Sequence, residues 1–157
     1  MTPNTLQLYL HAHIPLSAAM QVEVVSATRE GVALRAPLAP NINHRETVFG
    51  GSASALAILS AWSLLHLRLA VDLPGCRLVI QRNTIDYDLP IDGPFSATSA
   101  VHPETNWGTL LKTFSRRGKA RVTVLATLRC ADGRVAGRFS GEFVALASRA
   151  QLAETHD

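Results

Sequence analysis

Near residue 50 the chain gathers groups suited to act on a carbonyl. Gly50 and Gly51 directly precede a run of good helix formers, and no charged residue occurs from Thr47 to Leu65. A helix N-terminus carries unpaired N–H groups and roughly half a positive charge. Glycine leaves such a backbone open, because no Cβ blocks an approaching ligand. The N–H of Gly51, joined by that of Ser52, is therefore suited to polarise a carbonyl and hold the oxyanion formed on attack. One such donor is typically worth about 10²–10³ in rate. The alternative is that Gly50 and Gly51 only permit a tight helix entry beneath a sheet.

Titratable side chains lie close in sequence. His44 and Glu46 sit in the loop before the glycines, and Asp86 and Asp88 flank Tyr87 further on. Each has a plainer reading as a solvated loop charge or a turn cap. Asn41 and Asn43 belong to the same loop, where Asn ordinarily bonds its own backbone. No Gly-x-Ser-x-Gly elbow surrounds Ser52 or Ser54. Ser52 therefore reads as a helix cap or a hydrogen-bond partner for a substrate rather than a nucleophile. Trp62 and His66, one turn apart, share a helix face, with Trp62 in the core or lining a channel.

A second cluster is basic. Lys112, Arg116, Arg117, Lys119 and Arg121 place five of the fifteen Lys and Arg residues in ten positions. They form either a solvated helix end and strand start or a landing site for phosphates, which Arg meets bidentately. Aromatic residues are not interleaved among them, which argues against single-stranded nucleic acid. A net charge of +3 adds little to that reading.

These residues must be held by regular elements. Residues 4–13 read as a short amphipathic helix stopped by Pro15, followed by a hairpin through Arg29-Glu30-Gly31. The uncharged run predicts a long helix from about Ser52 to Val71, ended before Pro74-Gly75. Strands follow at Arg77–Tyr87 and Phe95–Val101. Trp107, Leu110, Leu111 and Phe114 share the spacing of a helix over 104–116, and Gly118 suits its C-cap. Two long strands, 120–128 and 135–146, join through Asp132-Gly133, a hairpin signal.

Composition bounds the class. With 157 residues, 47% hydrophobic and 17% charged, the chain reads as one domain with a real core and hidden surface, an oligomer. The helical run approaches membrane-spanning length, but its serines and glycines, then His66 and Arg68, favour a helix buried in a soluble fold. Cys76 and Cys130 show no metal spacing and no disulfide framework, so both are expected as reduced thiols in the cytoplasm.

A long apolar helix among hairpins needs a large antiparallel sheet curled around it, the hotdog architecture. The string from Asn41 to Ser52, NINHRETVFGGS, with Leu56-Ala57 and Ser60-Ala61-Trp62, resembles the YiiD C-terminal-domain family of thioesterases, over nearly the whole chain. The resemblance implies a hotdog dimer or dimer of dimers acting on acyl-CoA or acyl-carrier-protein thioesters. It implies no cofactor beyond the CoA or phosphopantetheine of the substrate. It also implies that Asn43 orients the attacking water or the carbonyl and that Asn41, Phe49, Gly50 and Trp62 contact substrate. Arg116, Arg117, Lys119 and Arg121 would then meet the CoA phosphates.

One departure matters. Wider hotdog relatives place His before the glycines and a carboxylate seven or eight residues after the second, where this chain has Phe49, Ile58 and Leu59. A base must then come from Glu46, His44 or, across a subunit boundary, Asp86. Two other readings compete with hydrolysis: an acyl-thioester dehydratase or hydratase, and a non-catalytic acyl-thioester binding module.

Overall fold

The computed structural model describes residues 1–154. Helix α1 (Pro3–His13) is capped by Thr2, whose hydroxyl accepts the Thr5 N–H at 3.2 Å. Pro15 does not merely stop it. Proline also suits the first position of a helix, where its missing N–H costs nothing, and a short α2 (Pro15–Ala19) begins there. Strands β1 (Glu23–Ala27) and β2 (Val32–Ala36) form the expected hairpin.

The long helix α3 runs Gly50–Asp72, so both glycines lie inside its first turn and Phe49 occupies the N-cap. Ser52, expected as a cap, is the third helical residue. After α3 come β3 (Arg77–Tyr87), β4 (Phe95–Val101), α4 (Trp107–Arg117), β5 (Lys119–Cys130), β6 (Val135–Leu146) and α5 (Arg149–Glu154). Asn106 caps the start of α4, and Gly118 closes it at φ 66°, a left-handed conformation that glycine adopts without steric cost.

Six strands form one antiparallel sheet in the order β1-β2-β4-β5-β6-β3. The sheet curls around α3, the expected hotdog arrangement. Alternation on β5 shows why: Ala120, Val122, Val124, Ala126 and Leu128 are buried, while the residues between them are more open. Leu56, Ala57, Ala61, Leu64 and Leu65 of α3 are fully buried. Two serines pin the helix to the sheet. Ser60 Oγ donates to the Val32 carbonyl at 2.8 Å, and Ser99 Oγ lies 2.9 Å from the Ser60 carbonyl. Cys76 and Cys130 are both free of disulfides.

The C-terminal end of α3 is tied down by polar contacts. Asp72 accepts from Arg29 Nη2 and from the Trp107 indole Nε1, each at 2.7 Å. Arg68 lies over the Trp107 ring at 4.1 Å and donates to the Arg29 carbonyl. A Trp107→Phe variant keeps a ring but loses the indole donor and weakens the cation–π contact. It should cost about 1–2 kcal/mol in urea denaturation. An unchanged midpoint would mean that Arg29 alone satisfies Asp72.

Candidate functional site

The first turn of α3 presents two free donors. The Ser52 and Ala53 N–H groups both bond the Phe49 carbonyl, at 2.9 and 3.1 Å. Ser52 therefore does not supply the second open N–H expected of it. The N–H groups of Gly50 and Gly51 have no partner among the described residues. An unpaired pair at a helix N-terminus makes a ready anion site in a chain that brings a ligand to it.

Two aromatic rings frame these donors. Tyr87, at the end of β3, donates its hydroxyl to the Gly50 carbonyl at 3.1 Å, and its ring lies 3.6 Å from where a Gly50 side chain would begin. The Phe49 ring lies over Gly51, where a Cβ on Gly51 would run into it. The approach that a missing Cβ was expected to leave open is therefore occupied by Phe49. Phe49 is 58% exposed, so its ring is free to turn, whereas Tyr87, 56% exposed, is held by its hydrogen bond to Gly50. Tyr87 is the residue that sequence reasoning passed over. It stood in plain view between Asp86 and Asp88, but only the folded register brings β3's end against α3's start.

Beside the glycines lies a cavity of about 180 Å³, lined by Val48, Ala53, Tyr87, Asp88, Leu128 and Ala136 among others. Asp88 faces Arg138, with oxygen–nitrogen distances of 3.2 and 3.4 Å. Asp86 is exposed on the same strand as Tyr87. Strand alternation turns its side chain to the face opposite Tyr87, away from the glycines of its own chain.

The loop residues divide sharply. Asn41 is 2% exposed and donates its amide to the carbonyls of Met20 and Pro37, at 3.0 and 2.8 Å. It holds the loop against the body rather than reaching a ligand. Asn43 Oδ1 accepts from the N–H groups of Arg45 and Thr47, at 2.8 and 3.1 Å, and its Nδ2 lies 3.0 Å from Thr47 Oγ1. Both ends of this carboxamide close the loop, which is its turn role. His44 and Glu46 are exposed at the tip, and Glu46 holds the turn at φ 62°.

Trp62 lies about three turns further along α3 and does not line the cavity beside the glycines. It stacks on His66 with ring centroids 4.8 Å apart; Tyr9 of α1 lies 4.9 Å from His66 and 4.3 Å from His13. Burial lowers the His66 pKa below its ordinary value of 6.5. The folded state then binds fewer protons than the unfolded one, so this contribution is full above 6.5 and lost as pH falls. Between about pH 7.5 and about pH 5.5, the wild-type melting temperature should drop more than that of His66→Phe, which keeps the stack. Parallel curves would show that His66 titrates freely in the fold.

Lys112, Arg116, Arg117, Lys119 and Arg121 are exposed, and none pairs with a carboxylate among the described residues. Arg121, with Thr109, Thr113, Thr123 and Glu142, lines a separate cavity of about 310 Å³ between α4 and β5. In sheet register Lys119 and Arg77 are both level with Leu146, whereas Tyr87 and Leu128 are both level with Gly137. The basic cluster thus stands at the opposite end of the sheet from the glycines, roughly 30 Å away along β5 from Lys119 to Leu128.

The family described as "Putative thioesterase (yiiD_Cterm)" matches residues 3–147. The chain belongs to this family. It is 31% identical to the putative thioesterase from Shewanella oneidensis, over 92% of this chain and 96% of that one, at a TM-score of 0.79. A protein of unknown function from Chlorobaculum tepidum TLS gives 26% identity, 94% and 98% coverage, and a TM-score of 0.84. A thioesterase from Haemophilus influenzae superposes at a TM-score of 0.76 with 11% identity, covering 94% and 92%, a likeness of fold alone. Family membership and these neighbours support a thioesterase-type function.

Proposed function

We propose that this family member hydrolyses acyl thioesters of CoA or of an acyl carrier protein in the cytoplasm, at the start of α3. The observation that carries the reading is the pair of unpartnered N–H groups at Gly50 and Gly51, opening beside a cavity. Phe49 swings off Gly51, and the thioester carbonyl takes its place against the donors. Water then attacks the carbonyl carbon and yields its proton to a base. The oxyanion rests on the two N–H groups until the carbon–sulfur bond breaks and the thiol leaves. Tyr87 holds the Gly50 carbonyl and so fixes the first turn. It is a positioning residue.

α3 carries no carboxylate before Asp72, and that residue is bound to Arg29 and Trp107 at the far end. The base is therefore drawn from Glu46 or His44, and Asn43 acts by shaping the loop that presents both.

We further propose that the working unit is a homodimer, alone or paired again. The outer edge of β3 has no neighbour in the sheet, and β3 exposes most of its eleven residues, Val79 and Tyr87 among them. Such an edge invites pairing. A two-fold axis joining β3 to a second β3 is antiparallel and isologous. It would set the Tyr87 end of one chain beside the Arg77 end of the other. The partner's basic cluster would then lie at the same end as these glycines, in reach of CoA phosphates.

Released thiol measured over a range of acyl-CoAs tests the activity, with binding measured in parallel. Gly51→Ala pushes the exposed Phe49 ring aside but sets a methyl where the carbonyl must meet the donors, and should lower kcat about 10²-fold, with the melting temperature little changed. Tyr87→Phe should lower kcat several-fold with KM nearly constant. Binding without release would instead establish a binding module, and water added to an enoyl thioester would establish a hydratase.

For assembly, Val79→Glu should shift the light-scattering mass toward the monomer. Neutralising Arg116, Arg117 and Lys119 together should weaken CoA-ester binding and spare the pantetheine thioester, with the difference shrinking at high salt. Equal losses on both substrates would make the cluster structural.

A further inference from the structure

We propose that the cavity beside the start of α3 is the acyl pocket, and that its floor restricts the substrate to short, unsubstituted aliphatic acyl groups of about four to six carbons. The inference rests on the thioesterase reading above and adds the substrate class to it. Three features of the cavity carry it.

Its position comes first. Val48 and Ala53 flank the glycine turn in sequence, and Tyr87 both lines the cavity and bonds the Gly50 carbonyl. A carbonyl seated on the Gly50 and Gly51 donors therefore has its acyl carbon next to the opening. The opening itself is marked by exposure, since Tyr87, Asp88 and Pro90 are exposed whereas the other end is sealed.

The chemistry of the floor comes second. Val48, Ala53, Ile91, Leu128 and Ala136 are between 1% and 8% exposed, and none carries a side-chain hydrogen-bonding group. A hydroxyl or carboxylate on the acyl chain would be stripped of water there without a partner, which is costly. The only charge on the wall, Asp88, is at the opening and already faces Arg138. The pocket thus favours plain hydrocarbon.

Size comes third. The cavity holds about 180 Å³. A water-sized group takes about 30 Å³ of liquid volume, and a methylene is of similar size, so about six such groups fill it. The floor closes on Leu128, paired with Gly137 in the β5–β6 ladder, and on Ala136 in the bulge beside it, whose carbonyl is held by the N–H groups of Asp88 and Leu89, so the floor does not part for a longer chain. Ala53 and Ala136 set the depth, because each stands where a larger side chain would take the space.

The test is a chain-length profile of kcat/KM, from acetyl-CoA to hexadecanoyl-CoA, for the wild type, Ala136→Leu and Val48→Ala. Binding of the matching S-alkyl-CoA thioethers, which cannot be hydrolysed, is measured beside it. Each methylene seated should improve kcat/KM and thioether affinity about fourfold up to butanoyl to hexanoyl, after which both level off or fall. Ala136→Leu should move the optimum toward acetyl, and Val48→Ala should move it out by about one carbon. Val48→Ala also guards against misfolding of the larger substitution. A wild-type optimum at dodecanoyl or beyond, or a profile that neither folded variant moves, would overturn the pocket. Loss of all thiol release with the thioether profile intact would remove the hydrolase reading and leave the pocket standing.

Discussion

Helix α3 has no charged side chain before Arg68, and that absence governs the rest of the fold. Its uncharged stretch, residues 50–67, is about 27 Å long and must find neighbours for its apolar surface. Half of its most apolar window is buried within the chain. No hairpin is wide enough to cover it, so six strands curl around it in one sheet. The polar atoms taken inside are few and mostly answered within the chain. Ser60 and Ser99 form a small hydrogen-bonded knot between helix and sheet, which fixes the helix's rotation as well as its depth.

The two ends of this helix are treated oppositely. At the C-terminal end, Asp72, Arg29, Arg68 and Trp107 satisfy one another through hydrogen bonds, an ion pair and a stacked guanidinium. At the N-terminal end the cap has no side-chain hydrogen bond, two N–H groups have no partner among the described residues, and exposed aromatic rings stand over them. A helix built only for stability would be capped there by Ser, Thr, Asp or Asn. Phenylalanine at the N-cap forgoes that bonding and leaves the positive end of the dipole facing a cavity. The stability comes from the buried length and the far end, which frees the first turn for ligand contact.

Much of this architecture was legible in the sequence. The periodicity of Trp107, Leu110, Leu111 and Phe114, the Asp132-Gly133 turn and the uncharged run placed their elements within a few residues. β3, β4 and β6 fall on their expected bounds. What was not legible depends on partners distant in sequence. Pro15 looks like a stop when only α1 is considered, yet it opens α2. Asn43 at a fixed distance before the glycines matches a catalytic pattern, but its carboxamide is consumed by Arg45 and Thr47. Tyr87 carries no local signal, because its meaning lies in a hydrogen bond spanning 37 positions of the chain.

The missing helix carboxylate follows from the same constraint that shapes the fold. The positions where wider relatives carry an acid are Ile58 and Leu59 here, and Leu59 is 6% exposed. An acid at that depth would be charged only at a steep desolvation cost unless a cation or several donors accompanied it. Along this stretch α3 itself offers only alanine, leucine, isoleucine and serine. In the proposed mechanism proton transfer then rests with groups that stay solvated, such as His44 and Glu46 at their loop tip. Such groups gain their effect from placement. In the proposed mechanism turnover therefore depends on what orders that loop, the carboxamide of Asn43.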